Sequence, residues 1–524
     1  MLSSQPASSP PHDAVARAAD VTRSAGRGVL YITIAKLFFI AAGYATHFAL
    51  PRLLGSKELY GLYGLVLSIS NVLSMVVVQA TIQSVSKLVS EAEGRSADVR
   101  RAALLVQLGV GGGITLLYVG LAGVIADLFS SGRFDALGAQ RVDDPGAMAL
   151  YLRLSAGLVL AYAFYATFIG VLNGRREFRA QAFFDMSYAT LKTSLIIGAA
   201  ALGFGMLGVF SGLAAAAVVI AVVAAVLVGV RGGTAGLGYE RRLLRLMLPI
   251  MAYALVLNLL LTADLWIVKA LDPVELKSTL GDYTAAQVVA RIPYQAMLSV
   301  TFVVFPLISR STFEGDRAAT AGYIGLTMRY SLIVLAALVS VIGAAAPDVI
   351  AVPYGADYRS AGALLAVLAA GMLCFALFNI AGTILNGAGR TLTALFLCVG
   401  TLAADVGLGV LLVPKLGAIG GAWATLGALA LGLMVALWLL HWRFGASMPV
   451  LTAARVALAS GAVVGVAHLL PPTGLVATLG KCFLLLLVYV GVLLLTRELR
   501  AADLARVRQV FARGSKVAKP GAGT

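Results

Sequence analysis

Five ionisable side chains stand inside apolar runs long enough to cross a bilayer: Lys36, Lys192 and Arg291, and the carboxylates Asp264 and Asp405. A charge near the bilayer centre costs on the order of 3 kcal/mol even on insertion scales, so such residues face an internal cavity, where a partner or a ligand meets them. The basic three describe an anion site. Arginine gives a phosphate bidentate hydrogen bonds and lysine a compact charge, which is the chemistry that holds a diphosphate. Lys36 lies roughly 12 Å into its span at 1.5 Å per residue, and neither it nor Arg291 has an acid three or four positions away. Lys192 has Asp185 seven positions earlier on the same helical face, so a structural ion pair and a cavity charge are both open for it. Asn71 and Gln79, with Gln83, either hydrogen-bond a hydroxyl-rich ligand or join helices together. Lys269 and Arg153 read as snorkelling charges near span ends, and His47 as an interfacial histidine.

The two carboxylates belong to a second chemistry. Thr401 precedes Asp405 by one helical turn and shares its face; Thr425 supplies a hydroxyl from the next span, and the Gly421 carbonyl lies one turn earlier. Neutral oxygens beside a carboxylate suit a hard monovalent cation such as sodium. The competing reading is that one aspartate pairs with Lys269 or stays protonated, because an isolated buried charge is costly.

These residues require membrane-spanning helices to position them, and the composition supplies them. The chain is 60% hydrophobic and 12% charged, with a mean hydropathy of +0.93, against roughly 25% charged residues in soluble domains. This is an all-α polytopic membrane protein. Fourteen spans are expected, near residues 28–50, 60–84, 102–129, 148–171, 181–202, 208–230, 246–270, 283–309, 321–346, 363–385, 392–413, 420–440, 452–470 and 475–496. Residues 1–27 are read as a disordered tail and 497–524 as a basic tail. The net charge of +16 is read as Lys and Arg kept on one side of a membrane, not as a nucleic-acid footprint. Arg175, Arg176 and Arg179, then Arg231, Arg241, Arg242 and Arg245, then Arg310 and Arg317 fall in loops on the side of both termini, which makes both ends cytoplasmic. Cys374, Cys398 and Cys482 sit in apolar runs and form no metal or disulfide pattern. The four histidines are scattered and no phosphate-binding Gly-rich loop with its lysine occurs, so neither an enzyme nor an ATP-driven pump is expected, and no cofactor beyond a coupling Na+ or H+.

The spans repeat. Leu172-Asn173-Gly174 returns as Leu385-Asn386-Gly387 at an offset of 213 residues, and Gly205-Met206-Leu207-Gly208 as Gly417-Ala418-Ile419-Gly420 at 212. Taken alone, each Asn-Gly is a turn. Two matched turns at one spacing indicate two six-helix lobes, 28–231 and 240–445, followed by two further helices within 452–496.

Pro51-Arg52-Leu53-Leu54-Gly55 with Glu58-Leu59-Tyr60-Gly61-Leu62-Tyr63, the two Leu-Asn-Gly turns and Gly417 to Thr425 resemble bacterial polysaccharide-biosynthesis flippases, a branch of the multidrug/oligosaccharidyl-lipid/polysaccharide exporter superfamily. The resemblance runs from about Arg27 to Arg497. It implies two lobes around a central cavity, two extra helices beside a lipid groove, and a bacterial inner-membrane transporter. Such a transporter is expected to move a polyprenyl-diphosphate-linked oligosaccharide to the outer leaflet by alternating access, and a monomer is expected. A lipid II flippase of the same fold and a multidrug or cation antiporter are the alternatives. The Asp264, Thr401, Asp405, Gly421 and Thr425 set resembles the sodium site of lipid II flippases, with Thr401 where an amide side chain is expected.

Overall fold

A computed structural model describes residues 12–92, 94–130, 144–233, 238–272, 276–471 and 474–499. The described residues form seventeen α-helices and one short 3-10 helix, with no strand. Twelve of the helices are long and apolar enough to cross a membrane, which makes the chain a multi-pass membrane protein. The chain divides into two compact units, Met1–Leu259 and Leu260–Thr524.

In the first unit, α1 (His12–Leu54), α2 (Lys57–Glu91), α3 (Ser96–Ser130), α4 (Pro145–Gly174), α5 (Phe178–Ala201) and α6 (Gly205–Val228) precede α7 (Tyr239–Leu260). The centre is α4, buried along most of its length and packed against α2, α3, α5 and α6, while α5 also packs on α1. Its start is fixed by Asp144, whose carboxylate accepts from the Gly146 amide at 2.9 Å, with Pro145 in the first turn. Its last turns explain why glycine recurs there. A Cβ on Gly170 would lie 2.8 Å from the Val85 Cβ, and one on Gly174 2.7 Å from the Val89 Cβ and 2.8 Å from the Ser86 carbonyl oxygen. This is a small-xxx-small seam between α4 and α2, so Gly174 is required by close approach rather than by the turn. Asn173 also does more than turn the chain. Its Oδ1 accepts from Ser86 at 3.0 Å and its Nδ2 donates to Gln181 at 3.2 Å, which ties α2, α4 and α5 together.

The second unit holds α8 (Ala263–Leu271), α9 (Leu276–Ala290), α10 (Ile292–Phe313), α11 (Arg317–Ala344), α12 (Ala346–Tyr354), the 3-10 helix (Ala356–Ala361), α13 (Gly362–Gly387), α14 (Thr391–Leu416), α15 (Ala418–Phe444), α16 (Val450–Leu469) and α17 (Leu475–Leu495). The buried centre is α13, packed against α9, α10, α11 and α15, while α14 packs on α8 and α15. Gly387 approaches the Phe305 carbonyl of α10, to which a Cβ would come within 3.1 Å. Buried ion pairs hold α17 at both ends. Lys481 binds Asp348 at 3.0 Å, and Glu498, just beyond the helix, takes Arg329 of α11 at 2.7 Å and Arg455 of α16 at 2.8 Å.

Several expectations change. The 1–27 stretch expected to be disordered contains the start of α1 at His12, where Ala14, Ala16, Ala18 and Ala19 favour helix; the rest of that stretch and 500–524 of the expected basic tail lie outside the described residues. The spans expected at 246–270 and 283–309 are each broken, at Leu261-Thr262 and at Arg291. Leu243 and Met247 of α7 join Val85, Leu88, Val99 and Val106 in one buried cluster of the first unit, which runs to Leu259.

Candidate functional site

Two polar clusters stand inside the helical units, one in each. In the second unit the broken helices make the site. Ending α7 at Leu260 frees the Leu261 carbonyl from the helical ladder, and that oxygen accepts from the Arg291 guanidinium, with Gln287 Nε2 at 3.4 Å. Arg291 sits at the α9–α10 break, two residues before Pro293, which has no N–H to give the ladder. The two breaks therefore satisfy one another, the condition under which irregular backbone persists at membrane depth.

Asp264 begins α8 directly beyond the first break and is 3% exposed. Tyr283 Oη donates to its Oδ2 at 2.8 Å, and Gln287 Nε2 lies 2.9 Å from Oδ1 and 3.1 Å from Oδ2. The Arg291 charge acts on Asp264 as well. Tyr283 and Gln287 of α9 and Arg291 just beyond its end are spaced four residues apart and share one face. In sequence only Arg291 stands out, as a charge inside an apolar run; the four-residue polar spacing is the signal that points to Tyr283 and Gln287.

Asp405 and Thr425 are each 1% exposed, and Thr401 is 4% exposed. Thr401 donates its hydroxyl to the Leu397 carbonyl at 2.8 Å, leaving its lone pairs as acceptors. Thr425 neighbours both Asp405 and Tyr283, and Asp405 feels the charge of Asp264. Even so, Asp405 Oδ2 and Thr425 Oγ1 have no hydrogen-bond partner among the described residues. Glycines close the packing: a Cβ on Gly421 would meet Val268 at 2.4 Å, one on Gly432 the Thr401 Oγ1 at 2.4 Å, and one on Gly409 Ile267 at 3.1 Å. The helices α8, α9, α14 and α15 thus bring Asp264, Thr401, Asp405, Gly421 and Thr425 into one region with two carboxylates, one of them incompletely satisfied.

In the first unit, Asp185 of α5 accepts from Tyr165 of α4 at 3.0 Å and has Lys36 of α1 as its charged neighbour. Lys192 does not take Asp185. Its ammonium lies 4.8 Å from the Phe39 ring centre and 5.8 Å from that of Tyr188, and these rings are its contacts among the described residues. Seven helical residues separate Lys192 from Asp185 by about 10 Å along the axis, while Tyr188, one turn away, is in reach. Tyr162 packs on Tyr188 at 4.9 Å, and Thr193 joins α5 to the Ala42 carbonyl of α1 at 3.1 Å. Asn71 is half-buried and Gln79 exposed on α2, and neither is hydrogen-bonded to this cluster among the described residues. His47 accepts or donates at 3.1 Å to the Tyr60 hydroxyl.

The fold has counterparts among solved structures. A lipid II flippase, MurJ, in an inward closed conformation superposes with a TM-score of 0.71 at 14% identity, over 90% of this chain and 99% of that one. An inward-facing multidrug resistance MATE transporter of the MOP superfamily gives 0.64 at 15%, over 80% and 98%. A MOP superfamily transporter from Pyrococcus furiosus gives 0.56 at 16%, over 80% and 95%. No curated protein matches in sequence. The family described as polysaccharide biosynthesis protein matches residues 25–312, more than half the sequence, and the chain belongs to that family.

Proposed function

We propose that the protein is a flippase that carries a polyprenyl-diphosphate-linked oligosaccharide from the cytoplasmic to the outer leaflet of a bacterial inner membrane, by alternating access of two related lobes. The observation that carries the substrate class is Lys192: a lysine within a helical unit whose ammonium has ring partners and no carboxylate. With Lys36 one helix away, the cluster has two positive charges against Asp185, which favours an anionic ligand over the cationic drugs of an antiporter. The match to a lipid II flippase over 90% of the chain favours lipid II as the second reading.

Matching helix pairings support a duplicated lobe. In the first unit α4 packs on α2, α3 and α6, and α5 on α1 and α6; in the second α13 packs on α10, α11 and α15, and α14 on α8 and α15. The left-handed turn residues Arg176 (φ 60°) and Gly389 (φ 74°) follow the two Asn-Gly pairs at the same distance. A count of fourteen crossings is supported by adding α5, with its embedded Asp185 and Lys192, and the interrupted α9–α10 pair to the twelve long apolar helices.

The second unit would hold the coupling cation. The unpaired oxygens of Asp405 and Thr425, with the Thr401 lone pairs and the Gly421 carbonyl nearby, fit a sodium ion or a proton. When bound, the cation would neutralise Asp405; the chain's own part is to hold Asp264 through Tyr283 and Gln287 so that Asp405 is the exchangeable site.

The substrate class is tested by binding of a short-chain polyprenyl-diphosphate sugar to the purified protein. Replacing the ammonium by an amide, Lys192→Gln, removes a charge-assisted contact and should weaken binding about 10- to 100-fold. Unchanged affinity would remove Lys192 from the site.

A further inference from the structure

At one end of the second unit, a cavity of about 580 Å³ is lined by Ser311, Arg317, Thr320, Arg390, Arg443 and Asp316, among others. Three arginines reach it from three helices: Arg317 opens α11, Arg390 is the N-cap of α14 and Arg443 lies in the last turn of α15. None of the three forms an ion pair with a carboxylate among the described residues. Asp316 is occupied as the N-cap of α11, accepting from the Ala319 amide at 2.9 Å. Thr320 and Ser311 bond to one another at 2.8 Å. The N-terminus of α14 has no side-chain cap, so its amides add to the positive potential of the cavity.

Position along the bilayer normal narrows the ligand. The Arg443 guanidinium stacks on Trp442 at 4.1 Å, and Trp442 lies parallel to Trp438 at 5.9 Å and 3°. Both indoles are about 60% exposed on α15. Exposed tryptophans at a helix end mark the headgroup level of a membrane, so the cavity opens where lipid phosphates lie.

We infer that this cavity is a binding site for the phosphate-bearing headgroup of an anionic bilayer lipid, gripped by Arg317, Arg390 and Arg443. Charges that only set topology need no cavity and no convergence; three guanidiniums around one void whose single lining carboxylate, Asp316, is engaged by the Ala319 amide and not by an arginine form a phosphate cradle. The site is distinct from the two clusters above and does not depend on the transported substrate.

The test uses the full chain in nanodiscs and in detergent, with lipid retention measured by native mass spectrometry. Wild type should retain phosphatidylglycerol in preference to phosphatidylcholine. Arg317→Gln with Arg390→Gln and Arg443→Gln should weaken phosphatidylglycerol binding at least about ten-fold, the loss of roughly one charge-assisted contact, with phosphatidylcholine unchanged. Arg443→Gln alone, an exposed position that leaves the core intact, should give a partial loss, and Arg390→Lys should recover less than the parent because the planar fork is gone. Equal retention of phosphatidylglycerol by wild type and by both glutamine variants overturns the site. Arginine-dependent binding of inorganic pyrophosphate without any phosphatidylglycerol preference overturns the lipid as its source.

Discussion

Glu498→Gln is the substitution whose cost can be worked most directly from the structure. The side chain is only 2% exposed and accepts from Arg329 Nε at 2.7 Å, Arg455 Nη1 at 2.8 Å and Thr452 Oγ1 at 2.8 Å. Burial alone would push its carboxyl up, but the hydrogen bonds from Arg455, Arg329 and Thr452 outweigh it and hold the carboxyl below the ordinary glutamate range. Removing the charge leaves two arginines without their counter-ion. A fully buried pair broken in this way costs about 3–5 kcal/mol; the arginine side chains here are 22% and 25% exposed, so solvent recovers part, and about 2–4 kcal/mol is expected. A glutamate held below its unfolded value of about 4.3 contributes stability that is present above that pH and lost as the pH falls through the lower, folded value. The assay is thermal unfolding in detergent from pH 7 down to pH 3, on wild type, Glu498→Gln, Arg455→Gln and the double variant. The stability margin of wild type over Glu498→Gln should shrink as the pH falls below about 4, and the double variant should cost clearly less than the two singles added. Strict additivity, or a wild type as stable at pH 3 as at pH 7, would refute the reasoning.

Two further outcomes follow from the same kind of argument. Asn173→Ala should lose about 1–3 kcal/mol, since it breaks the bonds to Ser86 and Gln181, whereas Asn386→Ala, whose Oδ1 has no hydrogen-bond partner among the described residues, should stay within about 0.5 kcal/mol of wild type; equal losses in unfolding measurements would contradict the asymmetry. Asp405→Asn should abolish any dependence of transport on the sodium or proton gradient while Tyr283 and Gln287 still hold Asp264, and a dependence that survives in proteoliposomes would move the coupling site elsewhere.

The sequence made the class, the helical spans and the five embedded charges legible, because cost in a bilayer is a property of residue type. One-turn spacing groups Thr401 with Asp405, and counting into the spans brings Asp264 to a similar depth; joining these with Thr425 in one site rests on the resemblance to lipid II flippases. What the sequence hid were relationships between distant segments. The breaks at Leu261-Thr262 and Arg291 sit in runs that look continuous, since the hydrogen bond that makes them tolerable joins residues 30 apart in the chain. Lys192 looked equally ready to meet Asp185, and only the positions of Phe39 and Tyr188 decide for the rings. Gly174 looked like turn chemistry, while its cause is the α2 backbone below it.

The central claim is tested most directly by reconstituting the full chain in proteoliposomes and following a fluorescent polyprenyl-diphosphate-linked oligosaccharide between leaflets under an imposed sodium or proton gradient. The account predicts protein-dependent translocation that fails in Lys192→Gln and in Lys36→Ala while both variants fold. Translocation by either variant at the wild-type rate, or none by wild type itself, would contradict it.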